Sequence, residues 1–270
     1  MIDIAAVRPA TSTVQQWWVL TVRVIKPTLR NGEFGTQVAA PIMFTVNFYL
    51  PLKQFMGAFT QGTSSSYAQY LMPLIVLVAI SFAAISAAFR SATDSVQGID
   101  RRFKASPIAP LTPLAARMSA SMYRCCIALV VSLACGYVIG FRFYGHVAHT
   151  VGFLLLGLLI GAVLALLGDL IGAANKNPEA TTPLLLPPIF VLGLLSAGLE
   201  PVERFPSWIR GFVRDQPVSQ YVYALRALAG DSTPAAGAVS WSVISPPLIW
   251  LTAGTVIVLP LHVLVSTRRR

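Results

Sequence analysis

The sequence predicts an all-α membrane protein in which six transmembrane helices follow an amphipathic helix lying along the bilayer surface. Three observations carry that expectation. Of 270 residues, 55% are hydrophobic and only 11% charged, with a mean hydropathy of +0.68, whereas a water-facing surface draws on a charged fraction of roughly a quarter. Apolar runs of spanning length recur along the chain. The 20 Lys and Arg residues, set against 10 Asp and Glu, divide unevenly between the loops that those runs define. The composition excludes a soluble enzyme and a disordered tail.

A helix needs about 20 predominantly apolar residues to cross a bilayer, and that length picks out 36–52, 70–89, 121–141, 151–173, 182–199 and 243–266. Pro41 interrupts the first run and Pro51 bounds it, while the fifth carries Pro187 and Pro188, so both are expected to kink or tilt. No strong apolar run precedes Val38, which leaves residues 1–35 as a cytoplasmic N-terminal part and 36–270 as the transmembrane domain. With both termini inside, fourteen of the 20 basic residues face the cytoplasm, among them Arg101, Arg102, Lys104 and the terminal Arg268, Arg269 and Arg270. The six on the other face are Lys53, Arg142, Arg204, Arg210, Arg214 and Arg226. That asymmetry satisfies the positive-inside rule, and the net charge of +10 then requires no nucleic acid.

Three further segments are amphipathic rather than spanning. In 12–30, Val14, Trp17, Trp18, Val22, Ile25 and Leu29 keep helical spacing, with Arg23, Lys26 and Arg30 between them. Ser12 with Gln15, and Thr13 with Gln16, each fit a capping box. The paired tryptophans suit headgroup depth, for a helix that either anchors the chain or grips a partner protein. In the inner loop at about 90–120, Pro107, Pro110 and Pro113 are expected to leave only a short helical piece exposing Ile99, Phe103 and Ile108. Such knobs on a charged loop dock into another protein's groove, or the loop lies on anionic lipid. In the outer segment, about 200–231, Phe205, Trp208, Ile209, Phe212 and Val213 form one helical stripe, and Val218, Tyr221, Val222, Leu225 and Ala229 another, with Pro217 between. Each stripe is too short to span, so two short helices dip into or lie on the outer leaflet, as a cap or as a gate. There Arg204, Arg210, Arg214 and Arg226 are expected to meet headgroups or pair with Glu200, Glu203 and Asp215.

Residues 98–108 read Gly-Ile-Asp-Arg-Arg-Phe-Lys-Ala-Ser-Pro-Ile, and 196–202 read Ser-Ala-Gly-Leu-Glu-Pro-Val, followed by Pro206-Ser207-Trp208-Ile209, Gln216-Pro217-Val218 and Leu225-Arg226. In these stretches the chain resembles the membrane subunit of type-2 ATP-binding-cassette exporters, particularly the daunorubicin-resistance-type permeases. It departs from that family's Gly-x-x-Asp-Arg-Phe-x-x-x-Pro-Ile loop by one extra basic residue before Phe103. The resemblance implies a cytoplasmic coupling helix between spans two and three, carried by Gly98, Asp100, Arg101, Arg102, Phe103, Lys104, Pro107 and Ile108. It implies re-entrant outer helices between spans five and six, with Glu200, Phe205, Trp208, Phe212, Pro217, Tyr221 and Arg226 at a release gate. The interfacial helix would contribute Trp17, Trp18, Arg23 and Lys26. The implied partners are a pair of nucleotide-binding ATPase subunits holding ATP and Mg, a second permease subunit of the same or a sister chain, and the lipids of the plasma membrane. The implied cargo is a polyketide-type drug or an envelope lipid such as phthiocerol dimycocerosate. The chain itself has no Gly-x-x-x-x-Gly-Lys-[Ser/Thr], so it cannot build the phosphate cradle of an ATPase, and no cofactor is expected on it.

Cys125, Cys126 and Cys135 share one apolar stretch and read as core residues rather than a disulfide framework or metal site. Asp169 is the only acidic residue within a span, about four residues from its inner end. It is expected to pair structurally with interfacial water or a cytoplasmic basic residue; the alternative is a proton-coupled secondary transporter with Asp169 as its working acid. His146 and His149 have ligand spacing but no clustered carboxylates, and His262 lies near the inner end of the sixth span. No His-Glu-x-x-His or Gly-x-Ser-x-Gly supports an intramembrane enzyme. Small residues at Ser132, Gly136 and Gly140, Gly157 and Gly161, and Gly168 and Gly172 permit close helix contacts within or between subunits.

The charge asymmetry makes a direct prediction about topology. In a background lacking Cys125, Cys126 and Cys135, a membrane-impermeant thiol reagent applied to intact cells labels the S207C variant and leaves S106C unlabelled. The reverse pattern, or equal labelling, would overturn it.

Overall fold

In lipid every backbone N–H and C=O must find its partner within the protein, and among the described residues all regular structure is helical. The computed structural model describes residues 12–30, 33–57, 66–105, 108–109, 111–175, 177–230 and 239–268. In chain order the helices are α1 (Thr13–Arg30), α2 (Glu33–Gly57), α3 (Tyr67–Val96), α4 (Ile99–Lys104), α5 (Thr112–Ile139) and α6 (Val147–Ala174). They continue with α7 (Pro178–Leu194), a 3-10 turn at Val202–Arg204, α8 (Ser207–Asp215), α9 (Pro217–Ala229) and α10 (Trp241–Arg268).

Four helices, α3, α5, α6 and α10, are long and apolar enough to cross a membrane. They contain the expected spans at 70–89, 121–141, 151–173 and 243–266, apart from Gly140 and Phe141, which follow α5. The other two expected spans coincide with α2, which has 25 residues but a more polar sequence, and α7, an apolar helix of 17 residues. Both run through their prolines as continuous helices, since a missing N–H costs one ladder bond that neighbouring helices can offset.

The axis of the bundle is α3. Of its 30 residues 22 are buried, against α2, α5, α6, α7 and α9. Its most extensive contact is with α6, and there the glycine spacing decides the geometry. A Cβ built on Gly168 would stand 2.4 Å from Ala84 O, and one on Gly172 would stand 2.0 Å from Ala88 O. Two backbones are therefore in direct contact, with no room for a methyl group. Gly157 and Gly161 face Leu129, Ile80 and Cys125, and Gly136 faces Met72. These small residues thus serve packing within the chain. Phe44 meets Phe48, Phe82 and Phe190 at 5.4–6.0 Å between ring centroids, tying α2 to α3 and α7.

One expectation about the 90–120 loop is corrected. Helix α3 continues from Arg90 to Val96, and α5 begins at Thr112, so residues 97–111 separate the two long helices. Pro113 does not break a helix. It occupies the first turn of α5, where its absent N–H has no intrahelical acceptor to lose. Gly98, at φ +68°, makes the left-handed turn that ends α3 and admits α4.

Adding one methyl at the α3–α6 contact tests this geometry. G172A should lower the thermal stability of the purified chain in detergent by about 1–3 kcal/mol. G211A, which meets open space on α8, should be neutral or slightly stabilising.

Candidate functional site

At the end of the bundle where α3 terminates, α1 is fixed by its cap and by one indole. Ser12 N donates to Gln15 Oε1 and Gln15 N to Ser12 Oγ, at 3.3 and 3.2 Å, the reciprocal pair expected from the sequence. Trp17 Nε1 donates to Ser119 Oγ of α5 at 3.1 Å, while Trp18, 60% exposed, points away from the bundle. The two apolar segments predicted separately here are joined: the Arg23 guanidinium lies over the Phe103 ring, 5.7 Å from its centroid. Phe103, Ile99 and Ile108 are consequently half-buried rather than free knobs, while Arg102 and Lys26 are exposed. The side chains of Asp100, Arg101 and Lys104, and the whole of Pro107, fall outside the described residues.

Directly behind this surface lies an ionic cluster that sequence reasoning found only in part. Arg117 Nε is 2.9 Å from Asp169 Oδ1, and Arg117 Nη2 donates to Asp169 Oδ2 at 3.3 Å. His262 Nε2 lies 2.7 Å from the same Oδ2, and Asp169 is 1% exposed. Three helices, α5, α6 and α10, thus meet on one carboxylate, and Ser91 Oγ of α3 donates to the Asp169 carbonyl at 2.9 Å. The structural pairing expected of Asp169 is present, and His262 proves to be part of it. The available signal was positional: each lies near the same end of its helix.

At the opposite end, α9 is bolted to α3 through backbone carbonyls. Arg226 Nη2 donates to Tyr70 O and Ala197 O at 3.0 and 3.1 Å, and its guanidinium stands 3.7 Å from the Tyr70 ring centroid. Tyr70 Oη donates to the same Ala197 O at 2.8 Å, and Ser219 Oγ accepts from Ala197 N at 3.0 Å. Gln69 Nε2 donates to Arg142 O and Gly230 O, and Gln216 Nε2 to Leu192 O and Leu195 O. Arg226 thus binds main-chain carbonyls, acceptors the sequence reading did not name. Arg210 donates to the carbonyls of Phe205 and Glu203, at 2.6 and 2.7 Å, acceptors of the kind that the ends of a short helical turn leave without an intrahelical partner. Arg214 does pair with Asp215, at 2.7 Å, holding that exposed carboxyl below its ordinary range.

The two outer stripes part company. Most of the apolar face of α9 is buried, including Val222, Leu225 and Ala229, and burial pushes the Tyr221 phenol up to about 12. On α8 the ordering is reversed: Trp208 is 81% and Phe212 53% exposed, while Phe205 before the helix and Val213 are buried. Pro217 begins α9 as expected, and Glu200 is half-buried in the turn that follows α7. His146 and His149 contact each other, ring centroids 5.9 Å apart, where α6 begins.

This architecture defines a multi-pass helical membrane protein with one amphipathic surface at each end of its bundle. Residues 30–264 match the family described as ABC-2 family transporter protein, and the chain belongs to that family. It is a permease component, without an ATPase site of its own. It is 52% identical, over 96% of its length and 91% of the relative's, to the doxorubicin resistance ABC transporter permease protein DrrB of Mycobacterium tuberculosis. It is 26% identical to the daunorubicin resistance ABC transporter permease protein DrrB1 of Streptomyces coeruleorubidus, over 71% of this chain and 66% of that one. The probable doxorubicin resistance ABC transporter permease protein DrrC of M. tuberculosis is 25% identical over 86% of this chain and 80% of its own.

The Asp169 cluster can be tested directly. D169N leaves the mostly buried Arg117 guanidinium without its carboxylate and should destabilise the chain by about 3–5 kcal/mol. R117Q/D169N, which removes the stranded charge as well, should regain part of that loss in a thermal melt.

Proposed function

We propose that this chain is the membrane half of an ATP-driven exporter. It moves a hydrophobic or amphipathic molecule out of the cytoplasm or inner leaflet, powered by ATPase subunits that dock on α4. The observation that carries this is the Arg23–Phe103 contact, which joins the surface helix to the short helix of the 97–111 loop. Helix α5 follows that loop within a few residues, and its Arg117 is bound to Asp169, whose carboxylate also contacts His262. A push on α4 by a partner closing on ATP would therefore reach α1, α5, α6 and α10 as one unit.

In this reading α2 and α7 complete six spans, both termini are cytoplasmic, and a second permease, identical or sister, completes the path. The relatives' names support a polyketide-type drug as cargo. The exposed Trp208 and Phe212, at the level where an apolar molecule leaves the bundle, also suit an envelope lipid such as phthiocerol dimycocerosate, and we favour lipid on that ground. Helix α8 then steers release while α9 stays fixed. A proton-coupled carrier working through Asp169 has less support, because both carboxylate oxygens are already engaged by Arg117 and His262.

The test is reconstitution with the partner ATPase. F103A should lose roughly 1–3 kcal/mol of docking, so that less ATPase copurifies and ATP-driven export falls while membrane insertion persists. Unchanged copurification together with unchanged export would sink the coupling assignment. W208S/F212S should retain assembly but lower export per assembled complex, and mass spectrometry of molecules retained by the complex separates drug from lipid.

A further inference from the structure

Helix α7 carries Pro187 and Pro188 in succession near the middle of its 17 residues, and Pro183 one turn earlier. A single proline frees the carbonyl four residues before it, which can still share the N–H three residues ahead. A pair removes that alternative. For Leu184 O the donors three and four residues ahead would be Pro187 and Pro188, neither of which has an N–H, and Pro183 O loses its usual donor at Pro187. Among the described residues no side-chain donor is bonded to either oxygen. Leu184 is 57% exposed, and Pro183, Pro187 and Pro188 are exposed beside it, so no other described helix of this chain covers them. On α10 the matching oxygen, Val243 O ahead of Pro246 and Pro247, lies in the first turn, close to the membrane surface and its water.

An unpaired carbonyl in hydrocarbon is costly, and it is tolerated where it meets water, protein or a ligand rather than lipid. Two features near these oxygens point to a ligand. Helices α2 and α7 both lie on α3 but meet each other through the Phe44 and Phe190 rings rather than along their lengths. That leaves a shallow apolar crevice lined by Phe48, Leu74, Val78, Ile189, Phe190 and Gly193, which begins directly after Pro188. On α2, Gln37 Oε1 is a third acceptor without a donor, in a side chain 1% exposed whose Nε2 donates to Ser86 Oγ at 3.3 Å. Gln37 precedes Phe44 by the same interval as Pro183 precedes Phe190, and both helices start at the α4 end. The acceptors therefore stand at one depth, about two turns from the ring contact.

We propose that the groove between α2 and α7 binds an amphipathic molecule whose apolar body lies in the crevice and whose N–H or O–H group, a primary ammonium or a hydroxyl, bonds the Leu184 and Pro183 carbonyls. Small-molecule sites are mostly apolar with a few placed polar groups, and here those groups are all acceptors. The site rests on the reading of α7 as a spanning helix, and its occupancy requires neither the ATPase nor a particular cargo.

The test uses the full-length chain in a neutral detergent, with a saturable shift in melting temperature as the readout. Octylammonium is titrated against octyltrimethylammonium, which has the same tail and charge but no N–H, and octanol against methyl octyl ether repeats the comparison without charge. The donor-bearing member is expected to bind roughly tenfold more tightly. Preference in one pair alone names the donor as ammonium or hydroxyl. In P187A/P188A two new N–H groups meet Pro183 O and Leu184 O within the helix, so the preference should fall to about twofold or less while the chain melts no lower. P260A, which restores an N–H on α10, should keep the preference. Equal affinities within both pairs, or a preference that survives in P187A/P188A, overturns the proposal. So does a change in oligomeric state in P187A/P188A with probe binding unaltered, which would assign the carbonyls to a second permease. None of these outcomes bears on ATP-driven export, which F103A tests separately.

Discussion

Everything else in the bundle is placed by the touching of two backbones, where Gly168 and Gly172 of α6 rest on the carbonyls of Ala84 and Ala88. In lipid there is little hydrophobic drive between helices, so closeness of packing is what holds them. Once α6 lies flush on α3, Asp169, which falls between those two glycines, is carried into the bundle interior. There it must be neutralised by whatever approaches from α5 and α10. The same contact allows Ser91 to reach the Asp169 carbonyl. Dispersion and electrostatics are thus coupled in one short stretch, with the glycines setting where the charge must be answered.

The two ends of α3 meet their polar obligations differently. At the Val96 end, charge is set against charge, with Arg117 of α5 and His262 of α10 meeting Asp169 of α6. At the Tyr67 end, arginine and glutamine side chains bind the carbonyls of chain termini and turns. Ion pairs can be exchanged for other charges, including those of a partner. Bonds from a buried side chain to a carbonyl have no comparable substitute. The end near α4 is accordingly suited to rearrangement and the α9 end to rigidity.

Much of this was legible in the residues. Span length and apolarity located α3, α5, α6 and α10, Ser12 and Gln15 announced the start of α1, and Pro217 marked the α8–α9 boundary. The helical stripe of α8 was visible too, because a surface helix keeps its polar face. What escaped was the pairing of solitary polar residues. Periodicity assigns a residue to a face but not to a partner, so nothing local foretold that Arg23 would lie over Phe103 or that His262 would join Asp169. The carbonyl partners of Arg226 escaped for a related reason: main-chain acceptors leave no trace in composition. Pro113 was read as a breaker because its register relative to the helix start was unknown.

The dependence of the α9 end on backbone acceptors has an evolutionary corollary. Arg226, Gln69 and Gln216 recognise carbonyl oxygens, which are present whatever side chains occupy residues 142, 192, 195 and 197. The frame at this end can therefore survive wholesale change in the residues around it. Trp208 and Phe212 stand outside that frame, on a separate short helix, and bear none of its bonds. A lineage could alter them freely while the scaffold stays intact, so that change on α8 need not pass through an unstable ancestor.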